Sequence, residues 1–395
     1  MSISGEWFIP KNLIFEKINV RGSSEWIMFS LSDSNGITGY GEVTSSQNDK
    51  SITSIIARLA NNLRDIKIRS DYDVIKFNNI SEKDLEKNFL LATAVSGLRS
   101  SITDALSRQI NLPLFLYLRF LFKKKEIKKS KIKLYANINR SMLPNQYGGV
   151  DRSPENFASM AKKARDKGFK TIKCAPFDEC DPPYIKKMLP PQTEYGLERI
   201  RAIKSQLELD NELYIDCHAR FDENSASFVE NELSNLGINW FEEPVNPLEK
   251  VEFSKKLLLN SSIPIAGGEK GYGLTVFSKM IDEHIVDIVM PDIKYCGGTV
   301  EAFKIGTELE NKKPGSVSMH CPSGPISLLT SAHTTLAFEY SLPLEHAVFE
   351  NHWRNKMLEP FEKINNGFFE IPEGSGLGAR VDPLTIEFYG EKWSE

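Results

Sequence analysis

Three acidic residues, Asp216, Glu242 and Glu269, recur at nearly equal intervals, each at the end of a short apolar run. If those runs are adjacent parallel strands, their tips bring the carboxylates within a few ångströms of one another, where unpaired negative charges repel strongly. A hard divalent cation relieves that repulsion, and an all-oxygen donor set suits Mg²⁺ rather than zinc. Candidate proton-transfer groups keep the same rhythm. Asp292 and His320 end the next two runs. A carboxylate hydrogen-bonded to an imidazole orients the ring and raises its basicity. His218 stands two residues after Asp216 and so shares its face of a strand. Lys173, near the end of an earlier run, suits holding a substrate carboxylate or stabilising negative charge that develops on it. Each residue also has a plainer reading: a solvated rim acid, a histidine in a structural hydrogen bond, a lysine in a salt bridge. Three acids on consecutive runs favour the metal; His284, His333 and His352 keep the structural reading.

The elements that must position these residues are short strands alternating with amphipathic helices. The strands are read at Ile132–Asn139, Thr171–Phe177, Leu213–Ala219, Asn239–Val245, Pro264–Glu269, Val286–Ile293, Ser316–Cys321 and Leu344–Phe349. Helical spacing fills gaps between them, as at Ser153–Lys167, Glu194–Leu209 and Val300–Leu309. Eight such strands in a βα repeat argue for an α/β barrel over residues 129–351, with its site where the strand C-termini open on one face. Residues 1–128 read differently. Strands at Leu13–Val20, Trp26–Leu31 and Ile37–Val43 carry an Asn35-Gly36 turn signal, and helices follow at Ile52–Leu63 and Phe89–Ser107. That order suggests a separate α+β domain. Residues 352–395 lack a helical period, with strands expected at Phe368–Ile371 and Leu384–Phe388, and are expected to pack back on the first domain.

Composition bounds the partners. The chain has 395 residues, long enough for two domains of which one is a barrel, and a net charge of −4 that calls for neither nucleic acid nor an anionic membrane. The basic run Lys123–Lys133 reads as a solvated connector. The apolar stretch Leu112–Phe122 is broken by Arg119 and falls short of the ~20 residues a membrane span needs, so a buried helix is expected. The N-terminus has no secretory pattern. Five cysteines, at 174, 180, 217, 296 and 321, match no zinc or disulfide framework, which points to a reducing, cytoplasmic setting.

Specific motifs then appear in order: NGITGYGE at 35–42, IDCHAR at 215–220, WFEEP at 240–244, AGGE at 266–269, VMPDxxxxGG at 289–298 and HCPSGPIS at 320–327. With these the chain resembles the enolase superfamily, in its mandelate racemase branch, and there the galactonate dehydratase-type acid-sugar dehydratases. The resemblance implies a modified TIM barrel, (β/α)7β, with an N-terminal α+β capping domain. It makes Asp216, Glu242 and Glu269 ligands of Mg²⁺, His320 with Asp292 the general base, and His218 the acid that helps a β-hydroxyl depart. Glu345 corresponds to the eighth-strand acid that meets the substrate carboxylate. Asn137, Asn139 and Arg220 are expected among the substrate contacts, with the capping segments Arg21–Trp26 and Thr44–Lys50 setting specificity. The partner implied is a small hydroxy acid, and a homo-oligomer is the family's habit. Two departures stand out. Ala175 occupies the place of a second-strand lysine base found in many racemases, which disfavours lysine/histidine racemisation. Lys294 lies two residues beyond Asp292, off the lysine position of the lactonising branch. The reaction expected is abstraction of the α-proton of a hydroxy acid and loss of water to give a 2-keto-3-deoxy acid. A racemase or epimerase with His320 and His218 as opposed bases is one alternative, and a non-catalytic binding protein on the same fold another.

Overall fold

Asn12–Arg21 and Ser24–Ser32 form an antiparallel pair whose second strand is buried on both faces from Trp26 to Phe29, and Thr38–Glu42 adds on the far side of that strand. The computed structural model describes residues 7–21, 24–44, 49–142, 151–180 and 191–394. The turn before the third strand is held by Asp33, whose Oδ1 accepts from the backbone N–H groups of Asn35 and Ile37, and Gly36 takes φ +87°. The long helix Phe89–Gln109 lies against this sheet, buried over most of its length. Contact there is close: a Cβ on Gly39 would collide with the Ser101 carbonyl. The apolar stretch Leu112–Phe122 forms the helix Leu114–Leu121, buried at Leu114, Tyr117 and Leu118 but exposed at Phe120 and Leu121. No helix among the described residues is long and apolar enough to cross a membrane.

The barrel is the modified TIM barrel with an α+β cap. Its first six strands are Lys131–Asn137, Thr171–Cys174, Glu212–Asp216, Trp240–Glu242, Ile265–Gly267 and Ile288–Val289, paired in parallel in that order. Leu344–Ala347 pairs in parallel with the first strand. The seventh position, expected as a strand at Ser316–Cys321, is thinner. It is held to the sixth by isolated parallel bridges, Val289 to Val317 and Asp292 to His320. Pro291, which has no N–H to donate, interrupts the ladder between them, although its carbonyl accepts from His320 N at 3.1 Å. Each barrel strand is shorter than its apolar run in the sequence, and residues beyond the strand ends carry site groups such as His218 and Glu269.

Alternation along the strands sets what lies inside. Tyr135, Tyr214 and Trp240, with Ala266, Ile288 and Met290, form a separate buried cluster in the barrel interior. Tyr214 and Trp240 stack at 4.3 Å and Tyr135 meets both rings edge-on. Two residues further along the same strands, on the same face, stand Asn137, Asp216 and Glu242. An aromatic floor therefore underlies a polar site.

The C-terminal stretch divides. Gly390–Ser394 pairs antiparallel with Asn12–Arg21 of the cap, whereas the hairpin of Lys363–Asn365 and Phe368–Glu370 pairs with Lys131–Lys133 of the first barrel strand. The end of the basic run is thus strand rather than connector, its two lysines facing outward. Leu384–Phe388, expected as a strand, is instead within the helix Pro383–Tyr389. Asp382 caps it by accepting from Thr385 N at 2.8 Å, and Pro383 fixes φ in its first turn. These local signals outweigh the apolar alternation that suggested a strand.

Candidate active site

Lys173 is the centre of a buried charge cluster. Its ammonium, 1% exposed, lies 2.9 Å from Glu242 Oε1, 2.9 Å from Glu345 Oε1 and 3.4 Å from Asp216 Oδ2. Burial alone would push the lysine's pKa down; the negative charges of Glu242 and Glu345 instead raise it well above the ordinary value. The Lys173 ammonium passes 5.6 Å above the Tyr135 ring, and Trp240 Nε1 donates to Glu242 Oε2, so the aromatic floor also fixes the cluster from below. Glu345 is fully engaged. Asn137 Nδ2 donates to its Oε1 at 2.7 Å and Cys321 N to its Oε2 at 2.9 Å. Against the cost of burial, Lys173 and His320 keep this carboxyl below its usual range.

Glu269 reaches the cluster from the loop after the fifth strand. Gly268 carries φ +94°, a conformation glycine adopts without strain, and turns the chain there. Glu243 Oε1 accepts from the backbone N–H groups of Gly268 and Glu269 and so holds the loop. Burial and the neighbouring Glu269 charge push the Glu243 carboxyl up to about 7. The Glu269 carboxylate sits 2.9 Å from His320 Nε2. Burial opposes its ionisation, but His320 holds it at about 2.

His320 is buried and its ring is held at both nitrogens: Nδ1 lies 2.8 Å from Asp292 Oδ2, and Nε2 faces Glu269 and, at 3.7 Å, Glu345. Burial would lower its pKa, but Glu269, Glu345 and the Asp292 hydrogen bond raise it well above 6.5. Asp292 has a second partner. Lys294, 1% exposed, donates through Nζ to the same Oδ2 at 2.6 Å and through its backbone N–H to Oδ1 at 2.8 Å. Lys294 therefore acts on the carboxylate that holds His320, a place its sequence position did not reveal. His218 lies at the mouth, with its side chain 37% exposed and its backbone at φ +47°. Its Nε2 is 3.2 Å from Asp216 Oδ2 and its Nδ1 2.6 Å from Asp178 Oδ1. Asn139 donates to the other oxygen of Asp178. Arg220 donates to the Cys180 carbonyl at 3.2 Å, and no described contact joins it to the carboxylate cluster.

The structure thus gathers Lys173, Asp216, Glu242, Glu269, Asp292, His320, Glu345 and Asn137, with His218 and Asn139 at the edge. Asp178 and Glu243 were not singled out in the sequence, and Lys294 was noted there without a role. Only their motif neighbourhood, next to known candidates, hinted at them. Donor atoms of Glu242, Glu269 and His320 lie within 4.8 Å of one another and could hold a metal ion. Asp216, paired with Glu242 in the strand register, turns its carboxylate to Lys173 and His218 instead. Four carboxylates, of Asp216, Glu242, Glu269 and Glu345, meet around Lys173, His218 and His320, an oxygen-rich donor set that fits a hard cation.

The capping domain enters through Glu42. Its buried carboxylate accepts from the backbone N–H groups of Gly324 and Ser327 at 2.8 Å each and from Thr44 Oγ1 at 2.8 Å. It thereby caps, from another domain, the helix Pro325–Ala337 that follows His320. Of the capping segments expected to set specificity, residues 22–23 and 45–48 lie outside the described residues.

Residues 156–385 match the family described as enolase C-terminal domain-like. A D-xylonate dehydratase of Haloferax volcanii is 25% identical over 382 residues, covering 93% of this chain and 86% of that protein. A D-gluconate/D-galactonate dehydratase of Picrophilus torridus is 26% identical over 381 residues, covering 92% and 88%. Among solved structures, a member of the enolase superfamily from Salmonella Typhimurium superposes with a TM-score of 0.82 at 20% identity, covering 98% of this chain and 99% of that one. A mandelate racemase/muconate lactonizing enzyme from Sulfitobacter superposes at 0.80 with 19% identity, covering 97% and 95%. At these identities the solved structures speak for the fold alone.

Proposed function

The chain belongs to the enolase C-terminal domain-like family, and on that premise we propose that it is a Mg²⁺-dependent acid-sugar dehydratase. The observation that carries the reading is His320, oriented by Asp292 at 2.8 Å and facing a buried carboxylate cluster with Lys173 at its centre. The dehydratases of Haloferax and Picrophilus, alike over nearly the whole chain, support the substrate class.

Glu242 and Glu269 would hold the ion, with Asp216, whose carboxylate faces Lys173 and His218, as the third ligand that the family resemblance implies. When bound, Mg²⁺ draws negative charge from the substrate carboxylate as the α-proton leaves. The protein's own groups do the rest. With a cation on Glu269 offsetting the charge that keeps His320 protonated, His320 takes the α-proton at Nε2, while Asp292 accepts the Nδ1 hydrogen and keeps the ring in that tautomer. Lys173 places positive charge where the substrate carboxylate gains negative charge. The electron pair of the broken Cα–H bond forms the Cα–Cβ double bond as the Cβ–O bond breaks. His218 gives its proton to the departing hydroxyl, which leaves as water; a positioned acid supplies roughly 10²–10⁴-fold. The resulting enol becomes the 2-keto-3-deoxy acid. The test is a panel of sugar acids (D-xylonate, D-gluconate, D-galactonate and arabinonate) incubated with Mg²⁺ and scored for keto acid. His320→Asn is expected to abolish turnover in a folded protein. Keto-acid formation by that variant at the wild-type rate, or no keto acid from any acid with the wild type, refutes the proposal.

A further inference from the structure

Asp178 follows the second barrel strand, in the turn beyond Phe177. Its Oδ1 lies 2.6 Å from His218 Nδ1; its Oδ2 accepts from Asn139 at 3.1 Å and lies 3.6 Å from the Arg152 guanidinium. Arg152 is itself tied to the Asn139 side chain and the Ala175 carbonyl, so the carboxylate is held from two sides. The other nitrogen of His218 faces Asp216. Across the site the pattern repeats. His320 is held at Nδ1 by Asp292 and presents Nε2 to Glu269. Each ring is anchored through Nδ1 to an aspartate outside the proposed ligand set, and each turns Nε2 to a carboxylate within it.

Resting on the dehydratase reading, we propose that Asp178 is the positioning residue of His218, so that the site holds two Asp–His pairs, one for each half of the reaction. His218 needs such an anchor more than His320 does. His320 is buried among packed groups, whereas His218 stands on a turn with its side chain 37% exposed. Exposed side chains change rotamer within nanoseconds, and a charge-assisted hydrogen bond restrains that motion. Because Asp178 accepts the Nδ1 hydrogen, the proton available to the leaving hydroxyl is the one on Nε2. Asp178 takes up no proton itself; it remains the acceptor while the Nε2 proton departs with the oxygen as water.

The test uses ¹⁵N-histidine-labelled full-length protein with Asp178→Asn, and Asp178→Glu as the conservative rescue; His218→Asn assigns the ring signals. In the metal-free wild type, the His218 nitrogen shifts are expected to show Nδ1 protonated and hydrogen-bonded. Asp178→Asn removes that signature and leaves the His320 signals in place. In D₂O with Mg²⁺ and D-gluconate, D-xylonate or D-galactonate as probe, α-deuteration of recovered acid and keto-acid formation are measured together. Asp178→Asn is expected to raise the ratio of deuterium exchange to elimination about 10–10²-fold, within the range a positioned acid commands, and Asp178→Glu to restore part of it. A purely structural role lowers both rates and leaves their ratio unchanged, and that result overturns the proposal, as does an unaltered His218 spectrum. If the wild type eliminates water from none of the acids, the dehydratase reading fails, while the spectra still decide whether Asp178 holds His218.

Discussion

Replacing Lys173 by methionine removes the one ammonium shared by Asp216, Glu242 and Glu345 while keeping most of the side chain's volume. At about 2.9 Å and an effective dielectric near 20, each close ammonium–carboxylate contact is worth roughly 6 kcal/mol before desolvation. Burying the ammonium consumes much of that. The net cost of breaking a buried pair by deleting one partner is about 3–5 kcal/mol, and Lys173 is 1% exposed, so solvent screening offers little relief. For a folding unit near the barrel's size, about 2–4 °C per kcal/mol converts this to a fall of roughly 6–20 °C in Tm in EDTA. Burial, and repulsion from Asp216, already raise the Glu242 pKa. The variant can therefore soften its loss by protonating Glu242, and its deficit widens as pH rises. Added Mg²⁺ supplies the missing positive charge, so it stabilises the variant more than the wild type. Differential scanning fluorimetry with EDTA or Mg²⁺ measures both quantities. A variant within about 2 °C of the wild type in EDTA, or one whose response to Mg²⁺ is no larger, refutes the reasoning that these carboxylates are ionised around Lys173.

Glu42→Gln keeps the shape of the side chain but turns an amide N–H₂ toward backbone donors, leaving Gly324 N or Ser327 N unpaired at a cost of about 1–3 kcal/mol. Hydrogen exchange at Ser327 and Leu328 is expected to quicken by at least tenfold, and unchanged protection counts against the interdomain cap. His333 is buried; its Nδ1 accepts from Phe115 N and its Nε2–H donates to the Leu377 carbonyl. Burial pushes its pKa down to about 4, below an unfolded value near 6.5. The unfolded chain therefore binds more protons between those values, and stability is lost as pH falls from about 6.5 to 4, by roughly 3 kcal/mol. Urea unfolding at pH 7, 5.5 and 4.5 reads this loss. His333→Gln is expected to flatten it, and parallel pH dependences of variant and wild type refute the assignment.

Strand ends and their side-chain types were legible in the chain because both depend on short-range pattern. Apolar runs with polar tips gave Asp216, Glu242, Glu269, Asp292 and His320 their places, and period-two alternation put His218 on the side of Asp216. The hairpin turn at Asp33–Gly36 and the helix at Phe89–Gln109 likewise rest on local signals. Where two local signals competed, as at Leu384–Phe388, the Asp382–Pro383 cap prevailed over alternation. Only the tertiary structure decided which charges meet. Lys173 joins Glu345, and Glu42 joins Gly324, from far apart along the chain, through barrel closure and domain docking. Asp178, and the contact of Lys294 with Asp292, became visible only there, since their partners are set by where a turn points a side chain. Pattern specifies a residue's face and element; the packing of distant elements specifies its neighbour, and in a buried site the neighbour fixes the charge state and hence the chemistry.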